Sequence, residues 1–235
     1  KKMVIDRVNG RIPILLGVGG NNTRAIVETL KNDDFTGVDA ILSVVPYYNK
    51  PSQEGIYQHY KAISEATELP IVLYNVPGRT GVNMTAETTL RIARNFSNVI
   101  AIKEASGNIS QVAKIMSLTD GKADLYSGND DQIVPLLSLG AKGVISVLSN
   151  VAPRETHDIC AKFFDGDVKG ACELQLKAIP LIEQLFSEVN PIPVKKAVNL
   201  MGMECGGVRM PLTELTPEHE KTLAQAMKDF GIKLA

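Results

Sequence analysis

Apolar positions along the chain follow two alternating rhythms. Short, mostly apolar runs occur at Pro13-Ile-Leu-Leu-Gly17, Val38-Asp-Ala-Ile-Leu-Ser-Val-Val45, Pro70-Ile-Val-Leu-Tyr74, Asn98-Val-Ile-Ala-Ile-Lys103, Ala123-Asp-Leu-Tyr126 and Gly143-Val-Ile-Ser-Val147. Runs of this length, bounded by turn formers, predict buried strands. Between them, apolar residues three and four apart predict helices. Ile26 and Leu30 share a face after a cap at Asn22 or Thr23, and Ile56, Tyr60 and Ile63 share one after Ser52. Further helices are predicted from about Thr85 to Asn95, through Ile109, Val112 and Ile115, and up to about Gly140. The first ten residues form the tail of a helix closed by Asn9-Gly10.

Near-continuous apolar strands alternating with helices predict an α/β fold with a parallel sheet covered by helices. An open doubly wound sheet and a (β/α)8 barrel both satisfy the pattern. From Pro153 onward the periodicity is helical only. One long helix carries Val168, Cys172, Ile179, Ile182 and Phe186 on a common face, with a kink expected at Pro180. A short helix follows from Pro193 to Met201, stopped by Gly202, and a last one starts at Thr216-Pro217 with Leu223, Met227 and Phe230 in register. The expected division is a barrel-type region over 1–165 and a helical extension over 166–235.

Composition narrows the function classes. With 235 residues, 44% hydrophobic and a net charge of −1, the chain can bury a sizeable core and has no charge excess to attract nucleic acid or an anionic membrane. No apolar run approaches the ~18 residues of a membrane span. Cys160, Cys172 and Cys205 fit neither a disulfide framework nor a zinc pattern, which points to the cytoplasm and to no metal. His59, His157 and His219 are scattered singly and are expected at the surface or in caps.

The chemically informative residues follow the strands. Gly17-Val-Gly-Gly-Asn-Asn22, Pro46 to Pro51, Tyr74 to Gly81, Lys103 to Asn108 and Ser127-Gly-Asn-Asp130 all fall at the edge where parallel-sheet enzymes build active sites. The first glycine cluster is no dinucleotide loop, because Asn22 stands where the third glycine belongs. A lysine ending a buried strand can simply run its stem along the strand to solvent. If Ile100 and Ile102 face the helices, however, Ala101 and Lys103 face inward and Glu104 points away. Desolvation would then lower the lysine's pKa, and a neutral amine attacks carbonyls to form a Schiff base. Tyr74, one strand earlier, also faces in and could move protons. Arg79, on a loop held by Pro77, Gly78 and Gly81, suits a carboxylate. Tyr47 and Tyr48, between Pro46 and Pro51, make a stiff aromatic turn suited to a subunit contact or to catalysis.

Four blocks, Pro46-Tyr-Tyr-Asn-Lys-Pro-Ser-Gln-Glu-Gly55, Leu73-Tyr-Asn-Val-Pro-Gly-Arg-Thr-Gly81, Ile102-Lys-Glu-Ala-Ser-Gly107 and Gly143-Val-Ile-Ser-Val147, resemble the dihydrodipicolinate synthase family. It is a branch of the pyruvate-dependent class I aldolase superfamily that also holds N-acetylneuraminate lyase. The resemblance implies a lyase of diaminopimelate and lysine biosynthesis that joins pyruvate to L-aspartate 4-semialdehyde without a cofactor. It implies a (β/α)8 TIM barrel with a C-terminal helical extension, assembled as a homotetramer of tight dimers. Lys103 would carry the Schiff base and Tyr74 the protons. Tyr48 would reach into a neighbour's site, and Tyr47 would lie in the dimer interface. Arg79 would receive the semialdehyde carboxylate, and Gly128 and the main chain of Ile145 would line the pyruvate pocket. A sister aldolase acting on a sugar acid, or an impaired pyruvate-binding relative, is the alternative. Arg79 separates the synthase branch from the lyase branch.

The resemblance also carries a gap. The family begins with two more strand–helix units, roughly 60 residues at ~30 per unit, and the second holds a Gly-Thr-Thr-Gly-Glu stretch that nothing here matches. The strands seen are therefore expected to be the third to eighth of the barrel, with an N-terminal part missing. Asn21 and Tyr47 match two contacts of the lysine effector in regulated members, whereas Ala25 replaces a glutamate often found there, so weak or absent inhibition is expected.

Overall fold

The structure, a computed structural model, describes residues 1–121 and 123–235. The chain forms two compact units, Lys1–Gly128 with Leu139–Lys142, and Asn129–Ser138 with Gly143–Ala235.

The first unit opens with α1 (Lys2–Val8) and then alternates β1 (Leu15–Gly17), α2 (Thr23–Asn32), β2 (Ala40–Val44), α3 (Gln53–Ser64), β3 (Ile71–Asn75), a one-turn α4 (Pro77–Thr80), α5 (Ala86–Asn95), β4 (Val99–Glu104), α6 (Ile109–Thr119) and β5 (Asp124–Ser127). The helix starts are chemically marked. Side chains of Asn22, Ser52, Thr85 and Asn108 each accept an N–H from the first turn they precede, satisfying donors that helix geometry orphans.

The five strands of this unit pair in parallel, neighbour to neighbour in chain order. Pairing lines residues up in rows. Leu42, Val72 and Ala101 form one row and Val44, Tyr74, Lys103 and Tyr126 the next, on one face. Ser43, Leu73, Ile102 and Leu125, then Asn75, Glu104 and Ser127, form rows on the other. All of this second set is buried, beneath helices: Tyr60 of α3 donates to the Ser43 carbonyl at 2.9 Å, and Gln111 of α6 reaches Glu104 at 3.4 Å. Each large apolar side chain buried there stabilises by about 1.5–3 kcal/mol, so the helix-covered face is the unit's core. The opposite face is half-open at Leu42, Val44, Tyr74, Lys103 and Tyr126.

Ile100 does not lie under the helices. The register steps from Ile71↔Val99 to Val72↔Ala101, leaving Ile100 as the extra residue of a bulge, 45% exposed. The bulge resets the alternation, so Ala101 and Lys103 still share the face of Val72 and Tyr74.

The second unit contains α7 (Ile133–Ser138), β6 (Gly143–Val144), α8 (Pro153–Phe164), α9 (Val168–Leu185), α10 (Ile192–Leu200) and α11 (Pro217–Phe230). Its core joins Leu148, Val151, Leu181, Leu185, Leu223, Met227 and Phe230, among others. Helix α9 runs through Pro180, and its buried face is Ala171, Gln175, Ala178, Leu181, Ile182 and Leu185. This corrects the expected face in part: Ile182 is buried and Ile179 packs part-buried against the core, whereas Val168 and Phe186 are exposed. Ala171 and Ala178 are part of the inward stripe, beside Leu181, Ile182 and Leu185. Among the described residues no helix is long and apolar enough to cross a membrane.

Candidate active site

Lys103 sits one residue before the end of β4, with Tyr74 of β3 and Tyr126 of β5 as its register partners. Its Nζ lies over the Tyr74 ring, 4.3 Å from the centroid, well inside cation–π range. Both side chains are half-buried on the open face. Burial pushes the Tyr74 phenol above its ordinary pKa, and the positive charge of Arg79 pulls it back. Arg79 therefore acts electrostatically on the phenol that touches the lysine.

Arg79 stands on α4, one helical turn where a loop was expected. Pro77 begins the turn and Gly81, at φ 74°, ends it. The loop after β2 is stitched to it: the Tyr48 N–H donates to the Thr80 carbonyl at 3.3 Å. Asn49 in turn donates from Nδ2 to the Asn21 carbonyl at 3.1 Å. The loops after β1, β2 and β3, bearing Asn21, Tyr47, Tyr48 and Arg79, thus form one connected rim. Tyr48 is 87% exposed and left-handed at φ 70°, a conformation that costs a non-glycine residue about 1 kcal/mol or more. The stitched loop offsets that strain and presents the ring to solvent. A cavity of about 530 Å³ in the same unit is lined by Gly19, Asn21, Asn22, Ala25 and Tyr47, among others, so the two effector-contact candidates do come together.

Gly128 has a packing reason to be glycine. Its N–H donates to the Glu104 carbonyl at 2.8 Å, and a Cβ there would lie 2.5 Å from that of Ala105. Ile145 follows β6 in the second unit and is half-buried.

Three features are not visible in the sequence pattern. Tyr126 flanks Lys103, a place that emerges only once β5 is in register. Glu104 faces away from Lys103 as expected, but into a polar network: it accepts from Asn75 Nδ2 at 3.0 and 3.3 Å, from the Ser106 N–H at 2.8 Å and from Gln111 Nε2 at 3.4 Å. Burial raises its pKa, and the bonds from Ser106, Asn75 and Gln111 oppose that rise. His59 corrects the expectation of a surface or cap histidine. It is buried, with Nδ1 2.8 Å from the Thr23 hydroxyl, and burial lowers its pKa to about 4. Among the described residues, no group of three or more His, Cys, Asp or Glu side chains is arranged to hold a metal ion.

The model of the Dihydrodipicolinate synthetase family matches residues 1–230. The chain belongs to the dihydrodipicolinate synthetase family. It is an enzyme of this kind, and its α/β architecture is that of the family's solved members. The 4-hydroxy-tetrahydrodipicolinate synthase of Lachnoclostridium phytofermentans is 51% identical over 231 residues, covering 98% of this chain and 79% of that protein. The chloride-inhibited dihydrodipicolinate synthase of Acinetobacter baumannii, solved with pyruvate, superposes with a TM-score of 0.94 at 46% identity, covering 99% of this chain and 79% of that one. A dihydrodipicolinate synthase variant described as monomeric gives a TM-score of 0.95 at 44% identity, covering 99% and 80%.

Proposed function

We propose that the chain condenses pyruvate with L-aspartate 4-semialdehyde, the reaction of 4-hydroxy-tetrahydrodipicolinate synthases in diaminopimelate and lysine biosynthesis, through a Schiff base on Lys103. The observation that carries this reading is the Lys103 amine held against the Tyr74 ring on the open face of the sheet, 4.3 Å from its centroid. The amine attacks the ketone of pyruvate to give a carbinolamine, and loss of water gives the imine. Tyr74 takes and returns the protons of both steps. Loss of a methyl proton from the imine makes an enamine, whose carbon attacks the aldehyde of the semialdehyde. The amine of that second substrate then displaces Lys103, closing the ring and freeing the enzyme.

Arg79, exposed on its one-turn helix, binds the semialdehyde carboxylate and biases the phenol of Tyr74. In this reading the six strands are the third to eighth of a (β/α)8 barrel, and the rigid, solvent-facing Tyr47–Tyr48 turn is the self-association surface of a homotetramer. Tyr48 completes a neighbour's proton path.

Borohydride reduction in the presence of pyruvate tests the central step. A stable pyruvate adduct on Lys103, absent from Lys103→Ala, is the expected result. An adduct on another lysine, or none at all, overturns the reading.

A further inference from the structure

We propose that Asn75 and Glu104, on the helix-covered face, are the positioning pair that sets Lys103 against Tyr74. This inference rests on the reading of Lys103 and Tyr74 as the reacting pair.

The geometry is a double clamp. Tyr74 and Asn75 are consecutive on β3, Lys103 and Glu104 consecutive on β4, and the pairs are in register, Tyr74 with Lys103 and Asn75 with Glu104. Consecutive strand residues point to opposite faces. One cross-strand pair therefore lies at the open face and the other lies directly behind it, one residue of backbone away. Whatever fixes the second pair fixes the strand ends that carry the first.

The hidden pair is held by directed hydrogen bonds. The Glu104 carboxylate spans from Asn75 Nδ2 to the Ser106 N–H and to Gln111 Nε2 of α6. It thus ties β3, the end of β4, the turn that follows and α6. Asn75 is fixed in return, with Oδ1 accepting from the Met84 N–H at 3.0 Å and Nδ2 also reaching Asn83 Oδ1 at 2.8 Å. Gln111 and Asn83 close the ring through bonds of 2.7 and 3.1 Å. Glu104 is 1% exposed and Asn75 0%. A carboxylate is a costly way to fill a dry core, and an apolar side chain would serve the core alone. What the carboxylate adds is angular fixation of two strand ends, one residue from the reacting groups.

The test is the rate of borohydride-trapped imine formation at saturating pyruvate. Glu104→Gln keeps the shape but turns an amide donor toward donors of Asn75 and Gln111. Misplacement of reacting groups by about 1 Å costs up to ~100-fold, so a fall of about 10- to 100-fold is expected, in kcat rather than in the pyruvate KM, with circular dichroism unchanged. The exchanged pair, Asn75→Asp with Glu104→Gln, restores one donor–acceptor bond between the strands once Asn83 and Gln111 both turn their amides, which keeps the two bonds between them, and most of the rate should return. Either of two results overturns the positioning role: Glu104→Gln trapping at the wild-type rate or losing rate only in proportion to its folded fraction, or the double variant being no better than the two single losses combined. Failure of the underlying reading is distinct, because the wild type itself would then yield no Lys103 adduct.

Discussion

The two faces of the β3–β4 strand ends divide four residues between them, two to each face, and have almost nothing else in common. On the open face, Tyr74 and Lys103 are half-buried and meet through a ring and an amine. On the covered face, Asn75 and Glu104 are dry and locked by amide and main-chain donors. The alternation of a strand places the two environments back to back, so that what orders one side bears on the strand ends that carry the other. The ordered side has a cost. Burial raises the folded-state pKa of Glu104 above its unfolded value. The fold therefore binds that proton more tightly than the unfolded chain does, and the group's contribution to stability falls as pH rises through the folded pKa.

The sharpest break of this contrast is on the open face. Tyr74→Phe keeps the ring beneath the Lys103 amine and removes only the hydroxyl. If the phenol moves the protons of imine formation, kcat should fall by about 100- to 1,000-fold, with little change in melting temperature, as steady-state kinetics and thermal unfolding would report. A fall of less than about tenfold would shift the proton path to another group, with Tyr126, the other register partner of Lys103, the first to examine.

The open face was legible in the sequence for a physical reason. Buried parallel strands are nearly all apolar, so a lysine and a tyrosine at corresponding strand ends stand out, and their phase follows from period-two alternation. The polar caps at Asn22 and Ser52 were legible likewise, because their chemistry is local. What was not legible depends on partners distant in sequence. The bulge at Ile100 exists only relative to β3. The buried face of α9 includes Ala171 and Ala178, small residues that size-based patterning overlooks. His59 looked like a surface residue because Thr23, its partner, lies 36 positions away.

His59 extends the contrast to a second buried titratable group in the same unit. Glu104 is met by several donors, whereas among the described residues His59 Nε2 has no hydrogen-bond partner and only Nδ1 is bonded, to Thr23. Its ring meets that of Tyr60 in a T-shaped pair, centroids 5.3 Å apart, and no anion is among these contacts. With a folded pKa of about 4 against an ordinary value of 6.5, the unfolded chain binds the proton first as pH falls. The contribution of neutral His59 is intact above about pH 6.5 and is lost as pH falls toward 4, an order of about 2 kcal/mol between pH 7 and pH 5. Urea unfolding at those two pH values should show this difference in wild type. It should be reduced by about that amount in His59→Gln, which retains a partner for Thr23 but does not titrate. An unchanged difference would mean that His59 is not the group responsible.

The smallest effect draws the boundary of the positioning pair. Gln53, at the start of α3, donates from Nε2 to the Asn83 carbonyl at 2.8 Å and accepts the Thr85 N–H at 3.1 Å and the Thr88 hydroxyl at 2.6 Å. It belongs to the covered side but reaches the Asn75–Glu104 pair indirectly, through Asn83 and through the Met84–Thr85 backbone. Gln53→Ala removes bonds that net about 1 kcal/mol each and strands partly buried partners, so a loss of about 1–2 kcal/mol in urea unfolding is expected. If positioning resides in the directly bonded strand-end pair, kcat should not follow that loss. Should kcat instead fall as far as in Glu104→Gln, the device that aligns Lys103 with Tyr74 would have to be the whole helix-side network. The contrast between the two faces would then be one between a reacting pair and an entire polar layer, with α3 and α5 as much a part of the alignment as the strands.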